Sequence, residues 1–363
     1  MKTLDRYISR SFLTVFVGSL VAVSFLFTVI SILDSLNYMM GKEGVTLWSI
    51  VRFYVLQLPQ TIYMGSPVAA LLSTMIVLGG MNQQNELMAM RAAGMSLARI
   101  TAPILVLTLL IGAVLFVIGN TLVPVGNRYF YSARQEIKAD DDSDPESRIW
   151  YVSEKRGRPP RVLRIESVAR DTGELRGVTM FVTGDGFNLV RQVEADTASY
   201  NETGAWTAHD AEITDFMKKG PPVPTKLDTT ELDIPDTPSE LLAIQRMPEE
   251  MTLNELRSQM DRIQKYGLPK TRYLVEVHSR FAIPLAALIL VMVGAPLAIR
   301  PVRSGGLALS IVGAVVIGFG YFVVIALFIS MGKGGMVPAW TGAWTANILF
   351  GAAGLLLFST MRK

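Results

Sequence analysis

The residues with the clearest chemical potential are charges set among apolar neighbours on one short polar segment. Residues 82–94, NQQNELMAMRAAG, place Glu86 and Arg91 around Leu87, Met88 and Met90 and close on Gly94. That pattern predicts a short helix stopped by the glycine. Nothing nearby in the chain obviously covers its apolar side. One reading lays it on a lipid surface. The other docks it into a groove on a cytoplasmic partner through Glu86, Leu87, Met90 and Arg91. Glu86 would then meet a partner arginine in a charge-assisted hydrogen bond.

No catalytic constellation accompanies this segment. The chain has no cysteine, which removes thiol nucleophiles, thiolate metal sites and disulfides. Its two histidines are too few for a His-rich metal centre. His209 falls in a strand pattern and His278 on a helix leading into the membrane, and both read as structural. Neither a nucleophile elbow nor an H-E-x-x-H motif occurs. The stretch nearest to a phosphate-binding loop, Gly332–Gly335, lacks the spacing and the Ser or Thr. If nucleotide energy is used, it is released on another chain, so ATP and magnesium belong to a partner and no cofactor is expected here. The carboxylates of Asp140–Asp142 read as a solvated loop.

The elements that must position these residues are membrane spans. The chain has 363 residues, half of them hydrophobic and only 18% charged. Its mean hydropathy is +0.36. Six apolar segments are each long enough for roughly 30 Å of hydrocarbon. They run over 12–33, 53–80, 102–123, 282–299, 307–330 and 337–358. The first is too long for a signal peptide and is followed by no Ala-x-Ala site. The spans hold essentially no ionisable residue, which weighs against a proton-driven carrier. Small residues repeat at close-packing intervals: Gly65, Ala69 and Ser73 in the second span, and Gly306, Ser310, Gly313, Ile317 and Gly320 in the fifth. Such seams serve either permanent helix packing or an interface able to part.

Charge sets the orientation. Residues 131–280 carry 21 Lys and Arg against 27 Asp and Glu, whereas the rest of the chain is strongly basic. Lys2, Arg6, Arg10, Arg91, Arg99, Arg300, Arg303, Arg362 and Lys363 all flank alternate ends of the spans, so both termini are expected in the cytoplasm. The acidic insert then faces the periplasm. This basic excess reads as topology and gives no support to nucleic-acid binding.

The insert alternates at period two. Strands are expected at 149–153, 161–169, 177–183, 188–195, 205–210 and 227–234, with turns at Thr172-Gly173, Gly184–Gly186 and Asn201–Gly204. A small antiparallel sandwich is the natural reading. From Thr252 the period becomes helical, with a capping box formed by Thr252 and Glu255 and a stop at Gly267. The organisation expected is therefore residues 1–130 with three spans and the short cytoplasmic helix, 131–251 as a β domain, and 252–363 as amphipathic helices followed by three spans.

Several motifs then resemble one family. LDRYI at 4–8, PVAALL at 67–72, NELMAMRAAGMS at 85–96 and RFAIPLAALILVMVGAPLAIRP at 280–301 occur in that order. The chain resembles the LptF/LptG permeases, which extract lipopolysaccharide from the bacterial inner membrane. LDRYI leans towards the G-type branch. The resemblance implies six transmembrane helices with a periplasmic β-jellyroll between the third and fourth. It also implies pairing with an F-type permease subunit, a cytoplasmic ABC ATPase dimer and periplasmic jellyroll bridge proteins. Glu86 matches the family's acidic residue on the coupling helix. Lipid would enter between the first helix of one subunit and the fifth of the other.

On that resemblance an anionic headgroup needs cations near the outer interface, and Lys42, Arg128 and Arg134 are the candidates. Arg134 matches a family arginine at the end of the third helix. Where better-known G-type members carry lysines, this chain reads Ser35-Leu36-Asn37-Tyr38 and Gln60. Acyl chains need an apolar wall and gate, expected from Phe16, Phe25, Phe27 and Ile30 with Gly313, Val315, Phe319, Gly320 and Phe322. Two competing readings are another ATP-driven exporter or lipoprotein-releasing permease, and a membrane-anchored periplasmic scaffold.

Overall fold

A computed structural model of the chain describes residues 2–39, 47–138, 149–153, 161–169, 172–184, 188–201, 204–216, 222–234, 237–238, 241, 246–265, 269–299 and 306–360. It divides into two compact units: Met1–Ile137 with Pro248–Leu256 and Lys270–Lys363, and Lys138–Met247 with Arg257–Pro269.

The first unit is helical. Its elements are α1 (Lys2–Met39), α2 (Leu47–Gln83), α3 (Glu86–Ala92), α4 (Leu97–Asn120), α5 (Leu122–Lys138), the start of α6 (Leu253–Lys265), α7 (Thr271–Ile299), α8 (Gly306–Lys333) and α9 (Ala339–Thr360). Among the described residues, α1, α2, α4, α7, α8 and α9 are long and apolar enough to cross a membrane. That makes the chain a multi-pass membrane protein. The fourth span begins earlier than the sequence suggested, because the amphipathic turn from Thr271 runs without a break into the apolar stretch.

Helices α2 and α7 are the most buried spans, while α1, α4, α8 and α9 turn most of their apolar surface outward. α1 buries Ile8, Phe12, Phe16, Ser19 and Val23, one stripe at helical spacing. Small residues let backbones approach, as the sequence suggested for α2, where Gly65 lies 3.1 Å, from its would-be Cβ, to Val23 of α1. The seam expected in the fifth span is shifted. Gly313 is half-buried, and a Cβ on Gly320 would meet nothing within 4 Å. The close approach is made instead at Gly318, where a Cβ would lie 2.9 Å from Val68 of α2. Ser310, Ala314, Gly318, Tyr321 and Ile325 are the buried stripe of α8. A 3.6-residue period selects them over the shorter-stepped series ending at Gly320.

Polar groups inside this unit are tied across helices. Tyr321 donates to Asn347 Oδ1 at 2.8 Å, and Asn347 Nδ2 donates to the Ala282 carbonyl at 2.7 Å, joining α8, α9 and α7. A second network surrounds Arg280, only 2% exposed. Its Nε donates to Glu276 Oε1 at 2.8 Å, Nη1 to the Gly119 carbonyl at the end of α4, and Nη2 to the Glu249 and Met251 carbonyls at 3.2 and 3.4 Å. Helix ends leave carbonyls without partners, and a buried guanidinium with five donors can satisfy several at once. The 3-10 turn Pro248–Glu250 also accepts from Asn127 at 3.0 Å and from Arg128 at 3.0 Å, and Glu249 pairs with Lys333. Three helices, α5, α7 and α8, thus converge on one short turn. The capping box at the start of α6 is present, with Thr252 N donating to Glu255 Oε2 at 2.8 Å.

Among the described residues, the second unit holds one six-stranded antiparallel sheet in chain order. Its strands are β1 (Ile149–Ser153), β2 (Arg161–Val168), β3 (Leu175–Thr183), β4 (Leu189–Tyr200), β5 (Trp206–Asp215) and β6 (Thr225–Leu232). Each expected strand is present, β4 and β5 running longer than the alternation suggested. The register aligns apolar rows across the sheet. Leu163 faces Met180, Met180 faces Val193 and Val193 faces Ile213; a parallel row runs Ile165, Val178, Ala195 and Ala211. Period-two patterning puts these on one face, where they form a core with Trp206, Leu232, Ile234 and Leu241. Among the described residues the strands make a single sheet, where the alternation suggested the two of a sandwich.

The buried ion pair sets a stability expectation. Arg280→Ala leaves Glu276 without its partner and should cost about 3–5 kcal/mol, read as a fall in the unfolding midpoint of the purified chain in detergent. Stability should also depend on acid. Burial pushes the Glu249 and Glu255 carboxyls up, but Lys333 on Glu249, and Thr252 with Arg128 on Glu255, outweigh it and hold both below the ordinary glutamate range. A lowered folded-state value means stability that is complete above the ordinary range and lost as pH falls from there through the lowered value. Glu249→Gln should flatten this acid dependence in the same unfolding measurement.

Candidate functional site

The short polar segment forms α3, and its two ends explain its placement. Helix α2 stops at Gln83, and Asn85 adopts a left-handed conformation with φ 60°, which reverses the chain before Glu86. At the other end Gly94 has φ +85°; its N–H donates to the Arg91 carbonyl at 2.9 Å, and Met95 N–H to Met90 at 3.1 Å. This pair of bonds is a Schellman closure, which glycine makes without strain. Ser96 then caps α4 by accepting from Arg99 N–H at 3.3 Å. The segment is a rigid, twice-turned connection between two spans.

Its faces differ from the sequence expectation. Leu87, 2% exposed, and Met90 belong to the same buried cluster as Ile8, Met81 and Ile100. They are therefore covered by their own chain and offer no surface to a partner, which corrects their assignment as docking residues. The outward face carries Met88, 68% exposed, with Ala89, Arg91 and Ala92. A three-residue step from Leu87 to Met90 is the signal that could have shown this, since it leaves Met88 on the opposite side.

Glu86 is half-buried and is not isolated. The Tyr7 hydroxyl lies 3.2 Å from both of its carboxylate oxygens. Close by in sequence, Asp5 pairs with Arg99 at 2.8 Å. Two residues of the LDRYI motif thereby fasten the start of α1 to the first residue of α3 and to the first turn of α4. Neither Tyr7 nor Asp5 was singled out by sequence reasoning.

The expected lipid-facing residues divide into groups. Phe25 and Phe319, 70% and 69% exposed, face outward together with Ile30 and Val315. Phe27 and Phe322 are half-buried and meet edge to face, with ring centroids 5.4 Å apart. Phe16 is buried and stacks on Phe12 in the helical core, so it presents no wall to a lipid. Arg128 is also reassigned. Its Nη2 donates to Glu255 at 2.6 and 2.5 Å and its Nε to the Glu250 carbonyl, a brace between α5 and the turn before α6 that occupies the charge expected for a headgroup. Lys42 lies outside the described residues, as does the side chain of Arg134, whose backbone is in α5. His209 shares a 3.0 Å hydrogen bond with Ser199 across β4 and β5. No group of side chains able to hold a metal occurs among the described residues.

The family described as lipopolysaccharide export system permease LptF/LptG matches residues 6–360 of the chain. The chain belongs to the LptF/LptG family. It is 24% identical to the LptG permease protein of the lipopolysaccharide export system of Haemophilus influenzae, over 96% of each chain. To the LptG protein of Escherichia coli K12 it is 22% identical, over 90% of this chain and 89% of that one. An LptF/LptG member is a permease of lipopolysaccharide export, a transport component. The six spans, the β insert between the third and fourth, and the turn-bounded α3 are what this member offers for that task.

The two faces of α3 separate in stability measurements. Leu87→Ala removes a buried side chain and should cost about 2–3 kcal/mol, whereas Met88→Ala on the outer face should stay within about 0.5 kcal/mol. Thermal unfolding of the two variants in the same detergent checks this.

Proposed function

We propose that the chain is the membrane half of an ATP-driven lipopolysaccharide exporter, docked to a cytoplasmic ABC ATPase through α3. Both termini lie in the cytoplasm of a Gram-negative cell, the β unit lies in the periplasm, and an F-type permease completes the pair. The observation that carries this reading is α3 itself. A helix of seven residues is anchored by Leu87 and Met90, closed at both ends by tight turns, and presents Glu86 and an exposed Met88 and Arg91. A rigid, charged, outward-facing element of this kind suits receiving force from a partner, and the chain has no phosphate-binding loop of its own.

In mechanism, ATP and magnesium bound by the partner supply the energy. Closure of the ATPase dimer pushes α3, and α3 moves with the spans it joins, α2 and α4. The outward apolar surfaces of α1 and α8, with Phe25, Ile30, Val315 and Phe319, form the wall along which acyl chains leave the outer leaflet. Arg134 and Lys42 meet the anionic headgroup. The lipid then passes to the β unit and on to periplasmic jellyroll bridge proteins.

Glu86→Ala tests the docking role. Deleting one partner of a desolvated charge pair costs about 2 kcal/mol or more, so ATP hydrolysis by the assembled complex at limiting ATPase and its lipopolysaccharide release should fall about thirtyfold or more. A variant with full transport would remove α3 from the mechanism and favour a periplasmic scaffold.

A further inference from the structure

The tie between α1 and Glu86 has consequences for how a partner could engage α3. Tyr7 is 48% exposed, so its ring is not held in place by burial. Its hydroxyl is nonetheless shared evenly between the two carboxylate oxygens, at 3.2 Å each. A carboxylate has about four acceptor positions, and one hydroxyl proton engages only a fraction of them. The outer lone pairs of the two oxygens remain open to a cationic donor, which meets them well only in one carboxylate orientation. Without the hydroxyl, Glu86 would sample its rotamers in solvent, and that freedom would be lost on docking. One residue further along, Ile8 is fully buried, and Asp5 is paired with Arg99 at 2.8 Å. The backbone carrying Tyr7 is thus fixed independently of Glu86.

We propose that Tyr7 is a positioning residue for docking: its hydroxyl holds the Glu86 carboxylate in the orientation that receives a cationic side chain of the cytoplasmic ATPase. This rests on the reading of α3 as the docking helix. The same bond makes the inner end of α1 part of the docking surface, so that a push on α3 is felt by the helix whose outer half lines the proposed lipid wall.

The test uses the assembled complex of this chain, its permease partner and the ATPase in lipid nanodiscs. Binding of added ATPase to the permease pair is titrated, with ATP hydrolysis as the readout. Tyr7→Phe keeps the ring and removes the hydroxyl, and should weaken apparent ATPase affinity about fivefold, the worth of one ordinary hydrogen bond. Combined with Glu86→Ala, the Phe substitution should add nothing, because the group it orients is gone. An unaltered affinity for Tyr7→Phe, in a protein that Glu86→Ala impairs, overturns the positioning role and leaves docking intact. An equal loss from Tyr7→Phe in the Glu86→Ala background also overturns it, since the tyrosine would then act through packing. No effect from Glu86→Ala removes the docking site, and this role with it.

Discussion

The helical unit depends on one buried charge. Arg280 sits in the first third of α7, paired with Glu276 one turn earlier, and its other donors close carbonyls at the end of α4 and in the turn before α6. Burying a guanidinium is costly, and it becomes tolerable only when every donor finds a partner. Satisfying it forces α4, α7 and the Pro248–Glu250 turn into one arrangement. Lys333 and Asn127 then add α8 and α5 to the same turn. The Pro248–Glu250 turn is therefore held at a fixed place within the helical unit, because a polar network in a low-dielectric surrounding has few alternatives.

From there the architecture follows by packing. α2 and α7, each interrupted by prolines, lie innermost, and small residues such as Gly318 and Gly65 allow the outer helices to approach α2. α2 ends directly in the turn that launches α3, so this short helix is an extension of a central helix rather than a loose loop. Its anchoring residues, Leu87 and Met90, share a cluster with Ile8 and Ile100. A displacement of α3 is consequently a displacement of α1, α2 and α4 together, which is the property a coupling element needs.

What could be read in the sequence was what is local. Apolar run length gave the six spans, alternation gave the strands, and Thr252 with Glu255 gave a helix start, because each depends on neighbours a few residues apart. Glu86 stood out for the same reason, as an acid in a short polar stretch between spans. What escaped depends on distant partners. Which side of α3 is buried is decided by Ile8 and Ile100, and Arg128 passed for a free cation because Glu255 lies 127 residues away. Arg280 was hidden in a stretch that read as an amphipathic approach to the membrane. The shift of the α8 seam from Gly320 to Gly318 is of this kind too, since Val68 selects the stripe that faces it.

The central claim is that this chain works as one part of a lipopolysaccharide-extracting machine. The most direct measurement is purification of the intact chain from its own membranes in mild detergent, with mass spectrometry of the proteins and lipids that remain bound. The account predicts a phosphate-loop ATPase, a second six-span permease and lipopolysaccharide. Recovery of the chain without an ATPase, or with an ATPase but with lipoprotein in place of lipopolysaccharide, would contradict it.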